Sequence, residues 1–247
     1  MRYWHPMSLD TASRVNAWNP EKVILFPRYP QYSTTTTGSS LTDWRQSANK
    51  VGLLQKTVAV CCYPTNLGFI NAIADQLQSV LDEATDRNTL RVLFSAHGLP
   101  QKVVDKGDPY QWAVEKTAAS VIKKIVGSTL DWRVSYQSRV GPLSWIKPYT
   151  EDEITRAGEE GKSLIIVPIA FVSEHSETLV ELDIEYRELA ERAGVTSYTR
   201  VRTVDCDAVF IDGLADIVVA LDGNVMGVHG PSGGRLCPGV CRQCPIE

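Results

Sequence analysis

An unbroken apolar run at residues 164–172, LIIVPIAFV, is the feature that most limits how this chain can fold. The run is too short to cross a membrane, and polar residues do not alternate with apolar ones along it. It therefore indicates a strand that is buried on both faces. Such strands are typical of parallel sheets that are covered by helices on both sides, so the run favours an α/β fold.

Strand and helix signals alternate along most of the chain, as in parallel sheets built from βαβ units. The predicted strands are Lys22–Phe26, Thr57–Cys62, Leu90–Ala96, Arg133–Tyr136, Leu164–Ile169 and Thr199–Val204. The clearest predicted helices are Gly68–Leu81, Gln111–Val126, Glu177–Ala193 and Asp207–Leu221. The segment from Gly223 onward is rich in Gly and Pro, and we expect it to be loop.

Composition excludes several classes of function. The chain has 247 residues, of which 43% are hydrophobic, enough for one large domain or two smaller ones. Its formal net charge is −4, and mixed acidic and basic residues leave no basic stripe for nucleic acid. No stretch has the length of a transmembrane segment, and the first residues lack the apolar core of a signal peptide. We therefore expect a cytoplasmic protein.

Two of the four histidines lie where predicted strands end. His97 directly follows the Leu90–Ala96 strand, and His175 and Glu177 lie between the 164–172 run and the next helix. In open α/β sheets, ligands bind at the carboxyl ends of the strands. A structural role would explain one such histidine, but two beside a carboxylate favour a site that moves protons or holds a metal ion.

An acidic row follows His175. Glu177, Glu181 and Glu185 recur every four residues, so on an α-helix they share one side, and each like-charged pair costs roughly 0.2–0.5 kcal/mol. Two interpretations are open. The row is either a solvated face opposite an apolar stripe, or it is offset by a cation from elsewhere.

Cysteine placement indicates metal or redox chemistry rather than disulfides, because the expected compartment is reducing. Cys237, Cys241 and Cys244 lie within eight residues, and Cys61 and Cys62 end a predicted strand. Three close thiolates suit one metal centre that takes a fourth ligand from elsewhere. The alternative is a reduced, disordered tail.

A hydroxyl-rich loop at residues 30–40, PQYSTTTTGSS, precedes a predicted helix. Hydroxyls and amides near a helix amino terminus favour an anion such as a carboxylate, although such runs are more often solvated linkers. Asp108 and Pro109 are explained structurally, as the N-cap and first residue of the next helix.

Together these segments resemble the ferrochelatases, which insert ferrous iron into a porphyrin in the last step of haem synthesis. The motifs are FSAHGLP at 94–100 followed by GDPY at 107–110, and IAFVSEHSETL at 169–179 followed by ELDIEY at 181–186. Residues 1–6, 29–40 and 137–142 are similar to further family segments. The likeness, which is to the bacterial type, therefore spans the chain.

The resemblance implies two Rossmann-like, chelatase-type domains with parallel sheets flanked by helices. We expect residues 1–90 to be the remainder of the first domain, 91–222 to be the second domain with the metal site, and 223–247 to be a cysteine-containing tail. In the family, the stretch similar to Met1–Pro6 follows the opening strands of the first domain. We therefore expect that domain to be incomplete, through either an internal start or a genuine short form.

The resemblance also implies roles for the acidic and histidine residues. His97 and Glu177 correspond to the pair at the family's metal centre, and which of them takes the pyrrole proton is left open. Glu181 and Glu185 would form a carboxylate path for Fe²⁺ or protons, with Glu174 and His175 as supports.

Porphyrin contacts and a cluster are implied more loosely. Trp145 and Phe171 are candidate apolar walls, while Tyr32, Ser33 and Arg45 are candidate contacts around the propionates. Some ferrochelatases carry a [2Fe–2S] cluster on a C-terminal cysteine tail and one internal cysteine. Cys237, Cys241 and Cys244 resemble that tail, with Cys61 or Cys62 as fourth ligand because Ala72 replaces the animal-type cysteine. Zinc is an alternative occupant.

The expected function is insertion of Fe²⁺ into protoporphyrin IX to form protohaem. Two alternatives are kept: a truncated, catalytically impaired homologue that binds haem or metal, and a chelatase for coproporphyrin or another divalent metal. The expected partners are porphyrin and ferrous iron, with peripheral membrane contact left open. The sequence does not indicate an oligomeric state.

Overall fold

Alternating strands and helices make up the computed structural model, which describes residues 4–84, 87–125, 130–221, 223, 226–231 and 233–246. The strands are β1 (Val23–Leu25), β2 (Thr57–Val60), β3 (Leu90–His97), β4 (Asp131–Gln137), β5 (Ser163–Pro168), β6 (Tyr198–Arg200) and β7 (Gly227–His229). The α-helices are α1 (Ser8–Trp18), α2 (Ser39–Lys50), α3 (Leu67–Glu83), α4 (Gln101–Asp105), α5 (Tyr110–Ile122), α6 (Thr150–Glu159), α7 (Tyr186–Arg192) and α8 (Ala208–Ala220). Two π-helical segments, Thr34–Gly38 and Glu177–Glu185, precede α2 and α7, and a short 3₁₀ turn, Leu54–Lys56, precedes β2.

The chain divides into two compact units. The central unit comprises Pro64–Lys106 and Gln111–Gly213, and the terminal unit comprises Met1–Tyr63, Gly107–Tyr110 and Leu214–Glu247. These divisions differ from the sequence-based boundary at residue 90. Residues 64–90 belong to the central unit because α3 packs there: Gly68 lies against the backbone of Gly213, where a Cβ atom would not fit.

The central unit contains a four-stranded parallel sheet in the order β4-β3-β5-β6. One face packs on α6, the second π-helix and α7, through a core of Leu93, Ile154, Ala157, Leu164, Ile166, Leu182, Tyr186 and Ala190. Ile165 alternates with Leu164 and Ile166 and therefore points to the other face. Burial of both faces explains the continuous apolar run of β5. The register pairs His97 with Gln137, so the two residues end adjacent strands.

The terminal unit contains a three-stranded parallel sheet in the order β1-β2-β7. Helix α1 packs on α2. Residues just after β2 join a small buried cluster of Tyr32, Cys61 and Cys62, against which Val228 and Ile246 pack. Each sheet is parallel and flanked by helices, so the predicted α/β class is confirmed.

Several predicted elements need correction. The predicted Thr199–Val204 strand ends at Arg200. The Val201 N–H still donates to the Ile166 carbonyl of β5, but the Thr203 N–H donates to the Glu174 carboxylate and the Asp205 N–H donates to the Val172 carbonyl. The C-terminal segment predicted as loop contains β7. The Glu177–Ala193 helix is π-helical in its first part. Helix α5 was predicted to reach Val126, which lies outside the described residues.

No helix in the described part of the chain combines the length and the apolar character that crossing a membrane requires.

A buried arginine joins the amino ends of the central strands. Arg91, whose side chain is 3% exposed, donates two hydrogen bonds to Asp131, at 3.0 and 2.7 Å, and one to Glu160 at 2.6 Å. Burial alone would raise the pKa of Asp131, but the hydrogen bonds and charge of Arg91 outweigh burial and lower that pKa. The ion pair therefore stabilises the ionised carboxylate in the folded protein.

The substitution Asp131→Asn tests this ion pair. We expect the free energy of unfolding at about pH 7 to fall by roughly 1–3 kcal/mol, because Arg91 loses a charged partner. The folded pKa lies below the unfolded value of about 3.9, so the contribution is present above that pH and is lost as the pH falls through the folded pKa. Urea denaturation should thus show wild type and variant converging in acid. Asp82→Asn, which alters an exposed pair, is the control. A difference that does not shrink in acid would contradict the assignment.

Candidate functional site

His97 and Glu177 face each other at the carboxyl end of the central sheet. His97 is the last residue of β3, and Glu177 begins the second π-helix, which follows β5. The His97 Nε2 atom lies 3.7 Å from Glu177 Oε1, and each side chain is 37% exposed. The pair is therefore reachable from solvent and partly shielded from it.

A hydrogen bond determines which ring nitrogen of His97 carries the hydrogen. The other nitrogen then presents its lone pair to Glu177. The Nδ1 atom lies 2.7 Å from the Gly98 carbonyl oxygen. Because a carbonyl only accepts, Nδ1 carries the hydrogen, which leaves Nε2 as the basic atom in neutral imidazole. Two acceptors thus face each other, and a proton or a cation between them would satisfy both. Divalent metals bind such N and O atoms at about 2.0–2.2 Å, so one ion can contact both.

The helix that carries Glu177 is wider than an α-helix. The Tyr186 N–H donates to the Glu181 carbonyl, an i+5 bond in place of the i+4 bond of the predicted α-helix. The wider turn also brings the Tyr186 hydroxyl to Glu181 Oε1, at 3.0 Å. π-Helical turns are rare and often occur at functional sites.

Glu181 is held by four hydrogen bonds. Its Oε1 accepts from the Ser138 N–H at 2.8 Å and the Tyr186 hydroxyl at 3.0 Å, and its Oε2 accepts from the Ser138 hydroxyl at 2.6 Å and the Gln137 amide at 2.9 Å. A carboxylate has about four lone-pair sites, so these bonds use its capacity. Ser138 has a left-handed backbone, φ 62°, which is uncommon for a residue with a side chain and is supported by these two bonds.

Gln137 connects this carboxylate to the sheet and to Glu177. Its side chain is fully buried, its amide nitrogen also donates to the Glu177 carbonyl at 3.1 Å, and its amide oxygen accepts from Ser95 at 2.6 Å. The π-helix is thereby fastened to the ends of β3 and β4. Glu177 is held at the level of His97 as a result.

Arg200, on β6, supplies a cation to two acidic residues outside the row of Glu177, Glu181 and Glu185. Its guanidinium makes a two-pronged contact with Asp183, at 2.6 and 2.7 Å, and donates to Glu174 at 3.0 Å. Burial alone would raise the pKa of Glu174, but bonds from Thr203, Thr178 and Arg200 lower it. Glu174 thus points to an arginine and is placed to support the helix. Glu185 is exposed.

His175 braces the start of the π-helix. Its Nδ1 accepts the Glu177 N–H at 3.0 Å, and its ring meets Phe171 edge-on at 4.6 Å between centroids. Phe171 is only 7% exposed, which fits packing better than a ligand wall.

Trp145 lies beside His97, with ring centroids 6.5 Å apart. Its indole N–H donates to the Val140 carbonyl at 3.1 Å. Gly98 allows this approach, since a Cβ atom there would lie 3.2 Å from the Trp145 ring and 3.1 Å from the Gln137 carbonyl. Trp145 is therefore the aromatic residue placed to flank the His97–Glu177 pair.

In the terminal unit, Ser33 belongs to a network around buried Asp108. One Asp108 oxygen accepts from the Ser33 hydroxyl and from the amide and hydroxyl of Thr34, at 2.6–3.0 Å. Tyr32 is buried next to Cys61 and Cys62. Burial, followed by the charges of Cys61 and Asp108, raises the pKa of Tyr32 to about 12. Two hydroxyls of the loop predicted to bind an anion, those of Ser33 and Thr34, therefore bond to the internal carboxylate of Asp108.

The five candidate cluster cysteines interact in the terminal unit. Cys61 is hydrogen-bonded to Cys62, and its pKa is raised by that bond, by burial and by nearby Cys244 and Cys237. Burial and a hydrogen bond with Cys244 raise the pKa of Cys237, and burial raises that of Cys241. The raised pKa values favour the protonated thiols of Cys61, Cys237 and Cys241. A metal ion would reverse this preference by stabilising the thiolates.

The tail that carries three of these cysteines is folded, contrary to the alternative of a disordered segment. Arg235 donates to the carbonyls of Cys237, Pro238 and Cys241, at 2.9–3.0 Å. Gly107 has φ 97°, and a Cβ there would lie 2.8 Å from the Arg242 nitrogen. The tail therefore rests directly on the loop that carries Asp108.

Within the described ranges, no three His, Cys, Asp or Glu side chains are arranged as a metal site. Arg45, on α2, lines a cavity of the terminal unit together with Trp44, Leu54 and Val228.

Comparison with known proteins identifies the family. A family model for ferrochelatase matches residues 1–221. The chain belongs to the ferrochelatase family. The ferrochelatase of Caulobacter vibrioides (strain NA1000 / CB15N) is 50% identical over 247 residues, which are 100% of this chain and 70% of that protein. The ferrochelatase of Pelagibacter ubique (strain HTCC1062) is 43% identical over 245 residues, 99% of this chain and 70% of that protein.

A solved structure supports the fold of this ferrochelatase-family chain. The structure titled SirB from Bacillus subtilis with Fe3+ has a TM-score of 0.62 and 11% sequence identity, and the match covers 90% of this chain and 82% of that one. At this identity the likeness concerns the fold alone.

Sequence reasoning missed the residues that hold the pair in place. In the sequence, Gln137 and Ser138 stand only in a segment similar to the family, Tyr186 ends the ELDIEY motif, and nothing marks Arg200 as a partner. A usable signal is present, because Gln137 and Ser138 directly follow the predicted Arg133–Tyr136 strand just as His97 follows the predicted Leu90–Ala96 strand. Parallel strands bring residues in such positions to the same edge of the sheet.

Replacing Gln137 by Leu tests whether the network positions Glu177. The change keeps a side chain of similar size but removes one of the four donors to Glu181 and the side-chain donor to the Glu177 carbonyl, at a cost of roughly 0.5–1.5 kcal/mol per hydrogen bond. We expect a lower free energy of unfolding and a larger separation of His97 and Glu177 in a crystal structure. Gln78→Leu, which removes an exposed amide on α3, is the matched control. An unchanged separation in Gln137→Leu would contradict a positioning role.

Proposed function

We propose that this chain inserts Fe²⁺ into protoporphyrin IX to form protohaem, the last step of haem biosynthesis. The observation that carries the proposal is the His97–Glu177 pair, in which a basic nitrogen and a carboxylate oxygen face each other at 3.7 Å. Membership of the ferrochelatase family supports the substrate class.

The chemistry requires removal of two pyrrole protons and transfer of Fe²⁺ from water to four ring nitrogens. In the proposed step, the Nε2 lone pair of His97 accepts a pyrrole proton, and the resulting imidazolium is stabilised by the adjacent Glu177 carboxylate. The Gly98 carbonyl keeps the other proton on Nδ1. The Glu177 carboxylate accepts the second pyrrole proton, and both protons pass from the pair to solvent as Fe²⁺ takes their place on the ring nitrogens.

Iron delivery is assigned to the carboxylates that lead from solvent to the His97–Glu177 pair. Glu185 is exposed and Glu177 is half-buried, so a hard cation can pass from solvent towards the pair. Glu181 lies between them in sequence, but four hydrogen bonds hold it, and it serves this path mainly by its fixed charge. Glu174 and His175 act as supports.

Porphyrin contact is assigned first to Trp145, whose ring is beside His97. Phe171 packs against His175 and acts through that ring, without touching the porphyrin itself. Tyr32 and Ser33 remain proposed contacts of the terminal unit. Val140 and Leu143, which are 71% and 47% exposed, are apolar residues that would suit peripheral membrane contact. The six free cysteines fit the reducing cytoplasm that we propose as the location.

Removal of the imidazole should abolish iron insertion. We expect His97→Ala and Glu177→Gln each to lower the initial rate at least about a hundredfold, in line with the loss of an acid–base group. The assay follows the decay of protoporphyrin fluorescence on anaerobic addition of Fe²⁺. His5→Ala, which removes an exposed histidine, is the matched control.

The same assay separates the alternatives. Porphyrin binding without iron-dependent fluorescence decay would favour a haem- or metal-binding homologue. Faster decay with coproporphyrin, or with Co²⁺ or Zn²⁺, would favour the other chelatases. A His97→Ala variant as active as wild type would contradict the proposed centre.

We also propose that Cys237, Cys241 and Cys244, together with Cys61 or Cys62, hold a [2Fe–2S] cluster, with zinc as the alternative. The support is the hydrogen bond between Cys61 and Cys62, the hydrogen bond between Cys237 and Cys244, and the ordered tail around Arg235. Iron insertion transfers no electrons, so the reaction does not need the bound group for redox chemistry. Its role would be structural, and it would stabilise the terminal unit. Binding would release the thiol protons.

Metal analysis of single variants tests this centre. After anaerobic reconstitution with iron and sulfide, we expect Cys237→Ser and Cys244→Ser to lose bound iron, sulfide and visible absorption. Cys206→Ser is the control, because Cys206 is exposed and belongs to the other unit. Reconstituted wild type that lacks sulfide but binds one Zn²⁺ would favour zinc. Equal metal content in Cys206→Ser and Cys237→Ser would contradict both.

A further inference from the structure

A cavity of about 290 Å³ lies between α2 and one face of the β1-β2-β7 sheet. Its walls are mainly aliphatic and include Leu25, Leu41, Leu54, Ala59 and Val228, with the Trp44 ring on one side. Small-molecule sites are concave and mostly apolar with a few polar groups, and this volume is at the lower end of their range.

The cavity and the thiol cluster are neighbours that share one residue. Thr57 and Gly227, which line the cavity, are the first residues of β2 and β7, whereas Cys61 and Cys62 follow the last residue of β2. Val228 lines the cavity and also packs against Cys61 and Cys62.

The rim of the cavity is polar, whereas its walls are mainly aliphatic. Arg45 and Gln55 line the cavity and are exposed, and Arg45 has no ion-pair partner among the residues that the structure describes. A guanidinium in this setting suits a carboxylate, which it can contact with two parallel N–H donors. The Trp44 indole N–H is buried without an acceptor in the same part of the chain, so the wall also has an unmet donor.

We propose that this cavity binds the carboxylate of a medium-chain aliphatic acid, with the chain inside and the carboxylate at Arg45. The volume corresponds to on the order of ten water-sized groups of roughly 30 Å³ each, which matches an unbranched chain of about that many carbons. The aliphatic walls suit a flexible chain. The cation at the rim selects an acid over a neutral lipid.

Tryptophan fluorescence tests the proposal, because Trp44 forms a wall. The probe is decanoic acid brominated at its terminal carbon, and bromine quenches a nearby indole. We expect saturable quenching in wild type, its loss in Trp44→Phe, and displacement of the probe by unlabelled decanoic acid. Non-saturating quenching, or equal quenching in Trp44→Phe, would overturn the site.

Charge recognition is tested by varying Arg45 and the ligand together. We expect Arg45→Gln to weaken decanoate binding about tenfold, equivalent to about 1.4 kcal/mol, and Arg45→Glu to weaken it further. Binding of neutral decanol should be the same in Arg45→Gln as in wild type. Arg14→Gln, at an exposed arginine of α1, is the matched control. Equal decanoate affinity in Arg45→Gln and wild type would overturn the carboxylate assignment.

Two further measurements define the site. Ala59→Leu should fill the cavity and remove decanoate binding. Arg45→Glu should also weaken decanoate binding, and it does so at an exposed residue, without changing the buried core. Protoporphyrin IX should not displace the brominated probe. Displacement by porphyrin at equimolar concentration would instead assign Arg45 to porphyrin binding.

Discussion

The arrangement of the site depends on one set of hydrogen bonds, those that Gln137 and Ser138 donate to Glu181. Parallel strands bring many side chains to one edge, but the edge alone does not set distances to an accuracy of a few tenths of an ångström. Here a fully buried amide and a left-handed serine fix a carboxylate on the π-helix. Glu177 lies one turn before that carboxylate, and its position against His97 follows from these hydrogen bonds.

The acidic row is stable because its members have different partners. Glu177 faces an imidazole, Glu181 accepts four neutral donors, and Glu185 is exposed, while Asp183, which is outside the row, pairs with Arg200. The partners of Glu177 and Glu181 are His97 on β3, Gln137 and Ser138 at the end of β4, and Tyr186, so tertiary contacts offset the repulsion expected along the helix. The wider π-helical turn distributes these side chains among three neighbours, which a uniform α-helical face would direct to one side.

Much of the fold can be predicted from the sequence. Apolar runs indicate which strands are buried, and histidines that follow such strands indicate the edge of the sheet where ligands bind. The central strands, the edge where His97 lies, and its proximity to Glu177 could all be expected in this way. Strand β7 could not, since three residues that begin with a glycine give no periodic signal and depend on pairing with β2. The π-helix could not either, because the contacts that accompany it, from Gln137 and Ser138 to Glu181, join residues more than forty positions apart.

The central claim is that His97 and Glu177 act as one unit in the proposed iron insertion. A double-mutant cycle on the initial rate, with wild type, His97→Ala, Glu177→Gln and the double variant, tests it most directly. If the two groups act together in the same step, the double variant should be about as slow as the slower single variant. Rate losses that multiply, as for independent residues, would contradict the account.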